Sequence, residues 1–102
     1  MKRLEELIEI LKSHKQELKD RFGVLRVGIF GSVARGEETE KSDIDIYVEL
    51  DLEKITLKNY LGLLDYLENL FGQKIDVITK DSIETIRIAY IKDEIRKSVV
   101  YA

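Results

Sequence analysis

The stretch Val24-Leu25-Arg26-Val27-Gly28-Ile29-Phe30 is apolar and β-branched, is bounded by Gly23 and Gly31, and lies between segments of helical period. That interleaving constrains the fold more than any other feature of the chain. A short apolar run between glycines reads as a buried strand. Ahead of it, Leu4, Leu7, Ile8, Leu11 and Leu18 recur at helical spacing and predict one helix from about Lys2 to Phe22, closed by Gly23. Behind it, residues 31–36 read as a tight turn into a short helix, and the polar run EETEKS as a loop. Asp43 to Leu50 then alternates, with Ile44, Ile46 and Val48 on one face and Asp43, Asp45, Tyr47 and Glu49 on the other. A helix starting near Thr56 carries Tyr60, Leu61, Leu64, Leu67, Leu70 and Phe71 and ends at Gly72. Lys74 to Thr79 predicts a third strand. Asp81 followed by Glu84 resembles a capping box, opening a last helix with Ile83, Ile86, Tyr90, Ile91 and Ile95 as its stripe.

The order helix, strand, short helix, strand, helix, strand, helix predicts an α/β (α+β) fold: a small mixed three-stranded sheet with helices packed on it, one sheet face being free to stay open. At 102 residues, without repeat or linker, residues 1–102 are expected to form a single domain. No apolar stretch approaches the roughly 20 residues that span a bilayer, so no membrane association is expected. The charged, helical start argues against a secretory signal. The lack of cysteine excludes disulfides and thiolate metal sites, and makes the cytoplasm the expected address. A net charge of -3 argues against nucleic-acid binding through bulk electrostatics. A single nucleotide stays within reach, because metal ions can neutralise its phosphates locally.

Asp43 and Asp45 flank one isoleucine, so a strand turns both carboxylates the same way, with Cα atoms about 6.5–7 Å apart. Mg²⁺ is usually held by one or two carboxylates together with substrate phosphates. Nucleotidyl transfer uses two such ions roughly 3.5–4 Å apart. Asp76, between Ile75 and Val77, is the candidate third carboxylate, as ligand, as general base for an attacking hydroxyl, or both. Gly31 and Ser32 follow a strand and precede a short helix, where backbone N–H groups are available to phosphate oxygens. Arg35, one turn on, is placed either to contact phosphate or to pair with a loop carboxylate.

Gly31-Ser32-Val33-Ala34-Arg35-Gly36 followed by Ser42-Asp43-Ile44-Asp45-Ile46 resembles the glycine-serine and paired-aspartate signature of the nucleotidyltransferase superfamily that includes DNA polymerase beta. In length and element order the whole chain is similar to its minimal branch, the MNT proteins. The resemblance implies that Gly31 and Ser32 bind the triphosphate of ATP, that Asp43 and Asp45 coordinate Mg²⁺, and that Asp76 completes the carboxylate set. MNT proteins commonly accompany HEPN ribonuclease toxins in two-gene modules of type VII-like character, and act as antitoxins by moving AMP from ATP to a toxin tyrosine. The resemblance therefore implies a protein adenylyltransferase that forms a hetero-oligomer with a HEPN toxin. The alternatives are an antitoxin acting by binding alone and a transferase acting on a small molecule. More ordinary readings stand beside these: the aspartates as a solvated strand face, Gly31-Ser32 as a plain turn, Asp76 as a partner for Lys74 or Arg87. His14 reads as a solvated surface residue. Val99, Val100 and Tyr101 read as partner-facing, since three strands offer little to bury them.

Overall fold

The computed structural model describes residues 3–31, 34, 36, 43–84 and 89–102. In chain order these form α1 (Arg3–Ser13), α2 (Lys15–Phe22), β1 (Val24–Phe30), β2 (Ile44–Leu50), α3 (Leu57–Phe71), β3 (Ile75–Thr79), α4 (Lys80–Glu84), α5 (Ala89–Ser98) and β4 (Val100–Tyr101). The described strands make one mixed sheet in the order β3-β2-β1-β4. β1 is antiparallel to both β2 and β4, and β2 and β3 run parallel, joined by the α3 crossover.

The expected mixed sheet is present, with one strand more than three. Val100 and Tyr101 pair with Ile29 and Gly28, and the Ala102 N–H donates to the Val27 carbonyl at 2.9 Å. The C-terminal apolar residues therefore have a use inside the fold, where a partner surface was expected. Val99 is buried, while Val100 and Tyr101 stay partly exposed.

The predicted first helix is two helices broken at His14. Ser13 Oγ donates to the Glu9 carbonyl at 3.0 Å, and the His14 ring Nδ1–H donates to the Ile10 carbonyl at 2.8 Å. Side chains that bond back to main-chain carbonyls compete with the helical ladder, and here two in succession end α1. His14 is half-buried and edge-on to Tyr66, with ring centroids 6.2 Å apart, so the solvated surface reading does not hold. The other helix ends follow expectation. Gly23 and Gly72 close α2 and α3 in the left-handed conformation, at φ 69° and 66°, and Thr56 Oγ1 accepts the Asn59 N–H at 3.1 Å to open α3. α4 begins at Lys80, so Asp81 lies inside its first turn and not at an N-cap position, and the described residues of the expected last helix fall in two elements, α4 and α5. Ile86 lies outside the described residues.

Period-two alternation sorts the sheet into two faces. Val27, Ile29, Ile44, Ile46 and Val48 face α1, α2 and α3, meeting Leu11, Leu18, Leu63 and Leu67 in the main core. The opposite face was free to stay open, but part of it is covered: Tyr47, Ile83 and Val99 form a second buried cluster with Phe30, Ile78 and Ile95 packed against it. Tyr47 donates its hydroxyl to Glu49 Oε2 at 2.9 Å and meets Tyr101 edge-on at 5.9 Å. Arg26 pairs with Glu49 at 3.5 Å and lies 3.9 Å from the Tyr101 ring centroid, a cation–π contact that helps fasten β4. A Cβ on Gly28 would come within 2.7 Å of both the Val100 carbonyl oxygen and Val99 Cγ1.

Two outcomes are expected. Gly28→Val forces β4 away from β1 at a cost of about 1–3 kcal/mol, seen as a Tm lowered by roughly 5–15 °C and faster amide exchange at Ala102. Burial first, then the hydrogen bond to a glutamate, raises the phenol pKa of Tyr47 and of Tyr66 in the folded state. A group with a raised folded pKa gives stability that is complete below its unfolded value, about 10 for tyrosine, and is lost as pH rises through the folded value. Urea unfolding at pH 9 and pH 11 should show that loss, and Tyr47→Phe should reduce it.

Candidate active site

β2 carries Ile44 and Ile46 fully buried on the core face, so the pleat turns the intervening Asp45 to the opposite face, where it is half-buried. Asp43 stands one residue before β2 on the same parity and is also half-buried. β3 then aligns with β2 in parallel register: Ile44 opposite Ile75, Asp45 opposite Asp76, Ile46 opposite Val77. The two carboxylate-bearing residues are thus side by side on neighbouring strands, typically about 4.8 Å apart. Asp76 is exposed, and among the described residues it takes part in no ion pair, with Lys74 or any other cation.

On the other side of β2, Asp45 is in register with Phe30, the last residue of β1. Gly31 follows at φ 73°, a conformation that side-chain-bearing residues rarely adopt. A Cβ there would collide with Asp45 Oδ2 and come within 3.0 Å of Asp45 Cγ. The glycine therefore does two things: it turns the chain out of β1, and it leaves the space that the Asp45 carboxylate occupies. Ala34 packs against the main core. Ser32 and Arg35 lie outside the described residues.

The structure thus sets Asp45 between Asp76 on β3 and Gly31 just past the end of β1, with Asp43 two residues before Asp45 in the chain. Among the described residues no three histidine, cysteine, aspartate or glutamate side chains converge closely enough to hold a metal ion unaided. The donors are nonetheless carboxylate oxygens, the hard ligands that suit Mg²⁺, and an ion that keeps its waters and takes substrate phosphates as further ligands needs only one or two of them. The chemistry of this face is that of a platform completed by a phosphate-bearing substrate.

Residues 11–102 match the nucleotidyltransferase domain family. The chain belongs to that family. The transferase is 47% identical over 102 residues to a Methanocaldococcus jannaschii protein called "Putative protein adenylyltransferase MJ1379", the match covering 99% of each chain. It is 47% identical over 83 residues to "Protein adenylyltransferase MntA" of Thermococcus cleftensis, covering 80% of this chain and 82% of the relative. Among solved structures, one described as a "putative minimal nucleotidyltransferase" is 30% identical and superposes with a TM-score of 0.67, over 91% of this chain and 93% of the other. The α/β architecture is thus the minimal nucleotidyltransferase fold, and the chain is a transferase that uses a nucleotide. No helix among the described residues is long and apolar enough to cross a membrane.

What the sequence did not indicate is the second wall of the site. Glu94, Ile95 and Ser98 of α5 come beside Phe30 and Gly31, and no local pattern in the run KDEIRKS announces this, because only tertiary folding of α5 onto the sheet brings them there.

Gly31→Ala is expected to displace the Asp45 carboxylate. A left-handed non-glycine residue costs about 1–2 kcal/mol, so thermal unfolding should show modest destabilisation, while isothermal titration should show binding of Mg·ATP weakened by at least about tenfold.

Proposed function

We propose that this nucleotidyltransferase is a Mg²⁺-dependent protein adenylyltransferase that moves AMP from ATP to a tyrosine hydroxyl of a partner HEPN ribonuclease toxin in the cytoplasm, and so acts as the antitoxin of a two-component module. The observation that carries the reading is the placement of Asp45 between Gly31 on one side and Asp76 on the other. The protein adenylyltransferase names of relatives 47% identical to this chain support the choice of AMP and of a protein acceptor.

In this reading the main-chain N–H groups at Gly31 and Ser32 hold the terminal phosphates, and Arg35 contributes positive charge to them. Asp43 and Asp45 hold Mg²⁺, which when bound neutralises phosphate charge and polarises the α-phosphoryl group. Asp76 stands where an acceptor hydroxyl would approach from the β3 edge, and its exposed carboxylate takes the hydroxyl proton as the new bond forms. The acceptor oxygen bonds to the α-phosphorus, the bond from that phosphorus to the bridging oxygen breaks, and pyrophosphate departs. Asp76 is exposed on the edge strand β3, which suits a macromolecular acceptor arriving as a separate chain in a hetero-oligomer.

One observation favours a rival, an antitoxin that masks the toxin by binding alone: among the described residues the carboxylates do not converge into a three-ligand cage. Co-expression with the toxin separates the two. Toxin recovered from the complex should stay inactive and carry the mass of one or more AMP units. Asp43→Asn with Asp45→Asn should abolish that added mass and leave the melting temperature nearly unchanged. Inactive toxin without added mass, or normal AMP addition by the double variant, would overturn the proposal.

A further inference from the structure

A cavity of about 180 Å³ opens between the end of β1 and α5, lined by Phe30, Gly31, Glu94, Ile95 and Ser98. We infer that it receives the ribose end of the nucleotide, with Glu94 as the residue that reads the sugar hydroxyls; this rests on Gly31 being the phosphate site of the proposed function. Position is the first argument. Phe30 is in register with Asp45, so the cavity floor lies one strand from the carboxylate row, and Gly31 is a wall common to both. A nucleotide held at Gly31 by its phosphates has its nucleoside within reach of this space.

Chemistry is the second argument. The Phe30 ring and the Ile95 side chain, which pack against the second buried cluster, give apolar walls. Ser98 Oγ spends its proton on the Ile95 carbonyl at 3.0 Å, so toward the cavity the hydroxyl oxygen is an acceptor. Glu94, when ionised, is acceptor-only. Two acceptors repel phosphate and select a group that donates, and the donors nearest the phosphates of a ribonucleotide are its ribose hydroxyls. Dinucleotide-binding folds use an acidic side chain for the same group. Size is the third argument. Complete small-ligand pockets run about 300–1,000 Å³, so this cavity suits one portion of a nucleotide rather than the whole.

The test is equilibrium binding by titration calorimetry, with Mg²⁺ present, of α,β-methylene-ATP, its 2′-deoxy counterpart and inorganic tripolyphosphate. Each is titrated into the native chain, Glu94→Ala and Gly31→Ala. Glu94 is exposed, so its variant should keep the native unfolding midpoint. A hydrogen bond to a charged group predicts that the native chain favours the ribonucleotide over the deoxynucleotide by roughly tenfold or more. Glu94→Ala should abolish that preference and leave tripolyphosphate binding unchanged or tighter. The inference is overturned if the native chain shows no preference, if Glu94→Ala keeps it, or if the variant weakens tripolyphosphate as much as the ribonucleotide. If tripolyphosphate still binds in a Gly31-dependent way in those cases, the ribose assignment alone falls. If the native chain binds none of the three, the phosphate reading of Gly31 falls with it.

Discussion

The pleat of β2 is the constraint on which the site depends. Ile44, Ile46 and Val48 are fully buried against the helical layer, and in a strand of period two that leaves Asp45 no choice of face. A slip of one residue would drive a carboxylate into the apolar core and expose the isoleucines, a change costing several kcal/mol per buried charge. The parallel alignment of β3 then transfers the same decision to Asp76, because Ile75 must follow Ile44 into the core. Both carboxylates take their face of the sheet from the apolar residues on either side.

Two aspartates directly opposite one another on neighbouring strands repel. Several features keep that repulsion tolerable. Asp76 is exposed, Asp45 is only half-buried, and no charged side chain is fully buried among the described residues. The arrangement is most favourable when cationic charge is shared between the pair, which couples the stability of this face to occupancy by a metal–phosphate substrate. The second buried cluster has a complementary role. It reaches across to Tyr47 of β2 and Ile78 of β3, yet Asp76, two residues before Ile78, stays exposed.

The strands and the core face were legible because alternation and glycine boundaries are local signals: the apolar parity of Ile44, Ile46 and Val48 appears in the sequence as it does in the sheet. The site was legible in part for the same reason. Asp43, Asp45 and Gly31 sit at spacings that strand geometry turns into a face, and Asp76 needed only the assumption that β3 pairs with β2. The features that escaped depend on competition or on distance in the chain. The break at His14 arises from side chains bonding back to carbonyls, which a hydrophobic pattern does not register. The β4 pairing joins residues more than seventy positions apart through two residues whose apolar character suited a partner surface equally well. The approach of Glu94 and Ser98 to Gly31 follows from where α5 lands, and nothing in its own sequence encodes the neighbour it meets.

Gly28 and Gly31 share a property that neither burial nor secondary structure describes. At each, a neighbouring segment comes up against the main chain itself, the β4 backbone at Gly28 and the Asp45 carboxylate at Gly31. Along β1, tolerance to sequence drift is therefore set by how close the next segment comes, not by depth in the core. Leu25, at the register shift and open to solvent, is free to vary, whereas three residues further on a single added methyl group is already too large. A library built on this scaffold would find the strand permissive at its start and closed at its end, with the boundary falling between Leu25 and Gly28.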